Sequence, residues 1–308
     1  MKDFDELKSK ASQARGKIVV FNAPFVTYGQ TVSYRTQGAI EASKVGAVAS
    51  LTRSVTPYSL YTPHTGSMNY QTGVKRIPAA AITVEDAILL QNLQDGGKTP
   101  YLELFMDCET KRNAVSRNII ADLKGSVLPH EIVVIGGHVD SWDVGEGAHD
   151  DGGGILQTWE ALRLLAANGM RPRRTIRVVM WTSEENNGSG SEVYFNQHLD
   201  ELSNTTFCFE SDDGTLTPYR FNFAGLPSAM DEVTRKSFIV CIRLTPNNDA
   251  TEIAKLMSRY ANLEVFPGGA GADVAPLTNA GVPGVGLEVA GDGGTGKDHS
   301  AMSQVGKY

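Results

Sequence analysis

The stretch Ile132-Val133-Val134-Ile135-Gly136-Gly137-His138-Val139-Asp140 runs four β-branched residues into two glycines and then into side chains able to hold a metal or a proton. The apolar run predicts a strand over Glu131 to Gly136. Downstream, Ile155 to Ala167 has helical spacing and lies between two turn-rich stretches. Arg174 to Thr182 is a strongly apolar strand followed by a polar, Gly-rich loop, and Phe207 to Phe209 is a short strand before an acidic turn. Strand, helix, strand, strand in this order predicts an α/β domain, a mostly parallel sheet flanked by helices. In such sheets ligands sit at the carboxyl ends of the strands.

Upstream, Asn118 to Leu123 is a further strand candidate. The residues before it form a separate mixed α/β unit with no catalytic cluster. Lys17 to Phe21, Ala47 to Leu51 and Ile77 to Ile82 are predicted as strands, and Gln30 to Val45 as a helix. Ser54 to Lys75, rich in Ser, Thr, Tyr, Pro and Gly, reads as a long loop. Thr83 followed by Asp86 has the spacing of a capping box, and opens a helix through Leu93. Tyr101 to Met106 alternates as a strand does.

A length of 308 residues allows about two domains, each able to bury a core. The net charge of -7 and the absence of a basic run argue against nucleic acid or an anionic membrane as partner. No apolar run is long enough to span a bilayer, and the polar start, Met1 to Glu6, has no signal-peptide core. Three distant cysteines, Cys108, Cys208 and Cys241, make neither a zinc-finger spacing nor a disulfide framework.

Four clusters carry chemistry. In Gly137-His138-Val139-Asp140, the imidazole can ligate a metal while Asp140 accepts its other N–H; alone, this is more often a polar strand end. In Gly147-Ala148-His149-Asp150-Asp151-Gly152-Gly153-Gly154, a carboxylate could bridge two cations, or the pair could cap the following helix, as Asp151 is placed to do. In Trp181-Thr182-Ser183-Glu184-Glu185-Asn186, one Glu could ligate a metal and the other act as general base. Glu210-Ser211-Asp212-Asp213 reads alone as a solvated turn, and His299, in Lys297-Asp298-His299-Ser300, as a surface histidine. His64, His149 and His198 are left unassigned. Together the clusters place Asp, Glu and His at successive strand ends, a donor set that suits zinc. Two such ions, about 3.5–4 Å apart, would need a shared carboxylate.

These motifs resemble the zinc aminopeptidase and glutamate carboxypeptidase family. The likeness extends beyond the site to Phe25-Val26-Thr27-Tyr28, Tyr34-Arg35-Thr36-Gln37-Gly38-Ala39, Thr62-Pro63-His64-Thr65-Gly66, Ile82-Thr83-Val84-Glu85-Asp86-Ala87 and Ala280-Gly281-Val282-Pro283-Gly284, and covers roughly residues 17 to 290. It implies two Zn2+ ions: His138, Asp150 and Asp212 on one, Asp150 bridging, and Glu185 and His299 completing the other. It implies Glu184 as general base and Asp140 as the residue that orients His138. Small unblocked peptides, chiefly dipeptides, are the implied substrates, and a homodimer the implied assembly. Residues 1–112 resemble the protease-associated domain that the family inserts into its catalytic domain, and 113–308 the zinc peptidase domain. The family pattern places the first residue inside the inserted domain and the last before the terminal helix, so the chain is expected to be truncated at both ends. A secreted or lysosomal parent follows from the resemblance, in keeping with sequons at Asn187-Gly188-Ser189 and Asn204-Thr205-Thr206. Three other readings stand beside this one: an aminopeptidase on longer peptides, an inactive truncated form, and a non-catalytic binding protein of the same fold.

Overall fold

In a computed structural model of the chain, residues 1–57, 61, 63, 64, 66–142, 145–224 and 264–289 are described. They fall into two compact units that divide between Ala114 and Val115.

The first unit begins with α1 (Phe4–Ser9), where the Asp3 side chain caps the N–H of Glu6, and α2 (Ala11–Ala14). β1 (Ile18–Phe21), α3 (Tyr28–Thr31), α4 (Ser33–Lys44), β2 (Ala49–Arg53), β3 (Ala79–Ile82) and α5 (Val84–Asp95) follow. The three strands form a parallel sheet in the order β1-β2-β3. Gly38 lets α4 approach this sheet, since a Cβ there would lie 3.0 Å from the Phe21 ring. Leu7, Val19, Phe21, Ala39, Ala42 and Ile77 make the core. Thr83 caps α5 by accepting the N–H of Asp86 at 3.0 Å, as the capping-box spacing predicts. The buried His64, unassigned from sequence, bonds Arg35 at 2.8 Å, and Arg35 bonds the hydroxyl of Tyr28.

Tyr101 to Met106 is not a strand: the alternation is present but no partner strand pairs with it among the described residues, and Tyr101 and Phe105 are exposed. A strand without a partner leaves its backbone groups to water.

The second unit holds β4 (Ile119–Leu123), β5 (Leu128–His138), α6 (Gly152–Ala167), β6 (Arg174–Trp181), α7 (Glu184–Asn187) and α8 (Ser189–Gln197). After a 3-10 turn at Leu199–Asn204 come β7 (Thr205–Glu210), β8 (Pro218–Ala224), β9 (Glu264–Pro267), α9 (Ala275–Asn279) and β10 (Gly284–Val289). The described strands form one mixed sheet, β4-β6-β5-β7-β10-β8-β9. Its centre, β6-β5-β7-β10, is parallel; β4 pairs antiparallel with β6, and β8 with β10. Val134, Val179, Trp181 and Cys208 fill the core from the central strands. At the edge, Arg177 grips its cross-strand partner Asp122 through two bonds of 2.8 and 2.9 Å. The Gly-rich loop expected after β6 is instead two short helices, with Tyr194 of α8 packed edge-on against Trp181.

Cys108 is exposed and Cys208 buried, neither in a disulfide; Cys241 lies outside the described residues. No helix among the described residues is long and apolar enough to cross a membrane.

Candidate metal centre

The sheet order decides the site. β5 lies between β6 and β7, all parallel, so the three carboxyl ends sit side by side, each about 4.8 Å from the next. His138 ends β5, Glu184 and Glu185 follow β6 by three and four residues, and Asp212 follows β7 by two. Asp150 comes from the loop that leads into α6.

His138 is buried, and its Nε2 faces Asp150 Oδ1 at 3.0 Å and Asp212 Oδ1 at 3.1 Å. Ligand atoms of these three residues all lie within 4.8 Å of one another. Glu184 Oε2 stands 4.0 Å from the same imidazole nitrogen. Glu185, on the next residue, is outside that group of three. His299 lies outside the described residues.

The other ring nitrogen, Nδ1, is 2.8 Å from the backbone carbonyl of Asp140 and 3.8 Å from its carboxylate. The nearer partner is therefore the carbonyl, not the side chain expected from sequence. The Asp140 carboxylate accepts the backbone N–H groups of Glu184 at 3.0 Å and Glu185 at 3.3 Å. These are donors that the start of a helix leaves unpaired. Ser183 turns the chain sharply into that helix, with φ of 66° in the left-handed region, a conformation that costs a non-glycine residue roughly 1–2 kcal/mol. Asn118 steadies the turn, accepting from Thr182 N at 3.1 Å and donating to Gly190 O at 2.8 Å.

Asp150 and Asp151 are joined by a cis peptide bond, and their carboxylates differ in use. Asp151 is the N-cap of α6, accepting from Gly154 N at 2.9 Å, as its position predicts. Its second oxygen accepts the backbone N–H of His138 at 3.0 Å, tying the helix start to the end of β5. Sequence reasoning missed this second bond and the Asn118 bonds, because neither residue sits within a motif beside its partner. His149 lies next to Asp150 with its Nδ1 3.3 Å from Thr215 Oγ1, while His198 closes α8 on the Tyr194 carbonyl.

The electrostatics are those of crowded acids, Asp150 and Asp151 buried and Glu184, Glu185 and Asp212 partly so. Burial pushes the carboxyl of Asp151 up to about 9, that of Glu185 to about 8 and that of Asp212 to about 7; neighbouring carboxylates add to each. Burial also raises Glu184. For His138 burial disfavours the charged ring, but the bonds to Asp150 and Asp212 outweigh it and hold a proton there. One imidazole nitrogen ringed by carboxylates in a buried, electron-rich niche is a donor set for a divalent cation, which would replace that proton.

Comparison with known proteins gives the family. Residues 118–304 match the model of peptidase family M28. The chain is 44% identical over 284 residues to carboxypeptidase Q of Homo sapiens, which covers 92% of this chain and 57% of that protein. The crystal structure of a peptidase M28 precursor from Shewanella amazonensis superposes with a TM-score of 0.79 at 30% identity, over all of this chain and 66% of the other. A zinc aminopeptidase from Bacillus subtilis shares the fold, at a TM-score of 0.57 and 19% identity, over all of this chain and 71% of its own.

Proposed function

The chain belongs to peptidase family M28, and on that premise we propose that it hydrolyses the peptide bond of small unblocked peptides, chiefly dipeptides, as a zinc metallopeptidase. The observation that carries the reading is the convergence of His138 Nε2, Asp150 and Asp212 at 3.0 and 3.1 Å in a buried niche of excess negative charge. That niche fits a divalent ion, and the likeness to carboxypeptidase Q over 92% of the chain supports a peptide substrate. Since the chain spans 57% of that relative, the activity of the whole protein is part of the proposal.

In this reading His138, Asp150, Asp212, Glu185 and His299 would hold two Zn2+ ions, with Asp150 as the shared ligand. When bound, zinc would polarise the scissile carbonyl and lower the pKa of water, so that the water can give up a proton and attack as a nucleophile. The chain's own residues do the rest. Glu184, close to the ligands and buried enough to have its proton affinity raised, takes the proton from the attacking water and delivers it to the leaving amine. Asp140 fixes Glu184 and Glu185 through their backbone N–H groups, and its carbonyl fixes the ring of His138, leaving Nε2 for the metal. Residues 1–112 are, by the same reading, the inserted protease-associated-type domain, and 113–308 the peptidase domain.

The test is zinc per chain by elemental analysis together with dipeptide hydrolysis, for the wild type and for Glu184→Gln. Bound zinc in both proteins, with turnover only in the wild type, is the expected result. Turnover that survives Glu184→Gln refutes the role of Glu184. A wild type that binds no zinc and turns over nothing favours an inactive form.

A further inference from the structure

Glu210 ends β7 with its side chain buried, 1% exposed, beside Gly271 and Val274 rather than in a solvated turn. Placing a carboxylate there is costly unless it is bonded. Its Oε2 accepts the backbone N–H of Val274 at 2.9 Å, and the carboxylate also takes the N–H of Asp273. Oε1 has no partner among the described residues.

The chain closes tightly around this group. Gly271 has a φ of 125°, and a Cβ there would fall 2.3 Å from the Glu210 carboxyl carbon, so glycine alone fits. The preceding residue, Ala270, lies flat on β10: a Cβ at Gly286 would come 2.8 Å from its carbonyl oxygen. Residues 270–274 are thus pressed onto the sheet and fastened by one buried carboxylate. Two residues beyond that carboxylate is Asp212, with its Oδ1 3.1 Å from His138 Nε2.

We propose that Glu210 is a positioning residue for the metal centre: its buried carboxylate locks the 270–274 backbone onto the end of β7 and so holds Asp212 in place as a ligand. This rests on the reading of Asp212 as a zinc ligand. A side chain that merely filled space would be better served by an apolar residue of similar volume, which needs no bonds. The clamp also buries Asp273, 2% exposed, with neither carboxylate oxygen hydrogen-bonded among the described residues. Its charged neighbours are Glu210, Glu184, His138 and Asp140.

Zinc affinity, measured by titration against a competing chelator, separates positioning from bulk stability when the melting temperature of each metal-free protein is taken in parallel. Glu210→Leu keeps the volume but cannot accept the two N–H groups; it is expected to bind zinc about 10- to 100-fold more weakly, a larger loss than its fall in metal-free melting temperature accounts for. Glu210→Gln, whose amide oxygen still accepts, is expected to stay close to the wild-type affinity. Gly271→Ala drives a methyl group against the carboxylate and displaces the clamp while Glu210 itself is kept; it should weaken zinc in the same way, and decides the matter if the Leu variant does not fold. Wild-type affinity in both Glu210→Leu and Gly271→Ala overturns the proposal. So does an equal loss in Glu210→Gln and Glu210→Leu, or affinity that falls only in step with melting temperature. A wild type that takes up no zinc is a distinct result, and overturns the functional reading together with the clamp.

Discussion

The carboxylate of Asp140 lies 3.0 Å from the backbone nitrogen of Glu184, so the end of β5 sets the first turn that follows β6. The side chain acts as a helix cap supplied by a neighbouring strand, and the residue it fixes is the proposed base. Asp140→Ala removes the acceptor for two N–H groups. Stability should fall by about 1 kcal/mol, the usual cost of a lost cap, and kcat by about 10- to 100-fold. Zinc content is expected to stay near that of the wild type. Steady-state kinetics on a dipeptide, with elemental analysis of the same sample, checks this; an unchanged kcat would show that Asp140 does not position Glu184.

Packing against the end of β7 gives a second prediction. Gly154, in the first turn of α6, approaches so closely that a Cβ would sit 1.7 Å from the carbonyl oxygen of Ser211 and 2.3 Å from Asp151 Oδ1. Backbone cannot yield as a side-chain tip can. Gly154→Ala therefore pushes α6 off the sheet, at a cost of about 2–3 kcal/mol or more, and moves Asp151 and Asp150 with it. Chemical denaturation of the metal-free protein should show the loss. Wild-type stability would mean that the close approach does not constrain the fold.

Part of the pH dependence of the metal-free protein comes from Asp273, whose carboxyl burial and then Glu210 push up to about 8. A carboxyl with a folded-state value above its unfolded one binds more protons when folded. Its stabilising contribution is complete below the ordinary carboxylate range, near 4, and is lost as pH rises through about 8. Asp273→Asn removes this dependence. Between pH 5 and 9 the wild-type melting temperature should fall more steeply than that of the variant, and the variant should be the more stable at the alkaline end. Parallel curves would contradict the assignment.

The parts of this molecule that were legible in the sequence are those where apolar runs and chemistry coincide. Ile132 to Ile135 and Arg174 to Thr182 announce buried strands, and the polar residues that end them announce a site, because a parallel sheet presents ligands at its carboxyl ends. What pattern cannot give is strand order. That β5 lies between β6 and β7, bringing His138 to Asp212 across 74 residues, is a property of the sheet. Helix α8 was hidden because Ser189-Gly190-Ser191-Glu192 lacks apolar periodicity; it is held by tertiary contact, with Gly190 against Thr182 and Tyr194 on Trp181. Tyr101 to Met106 shows the converse, an alternation with no partner to pair with among the described residues. Glu210 read as part of an acidic turn because sequence shows its charged neighbours but not the backbone of 270–274 that folds over it.

The central claim is that zinc binds where His138, Asp150 and Asp212 converge, and an anomalous difference map at the zinc edge tests it most directly. From crystals of the zinc-loaded protein, the account predicts a peak about 2.0–2.2 Å from His138 Nε2 and from a carboxylate oxygen each of Asp150 and Asp212. Zinc found elsewhere on the chain, with no peak among these three side chains, would contradict it.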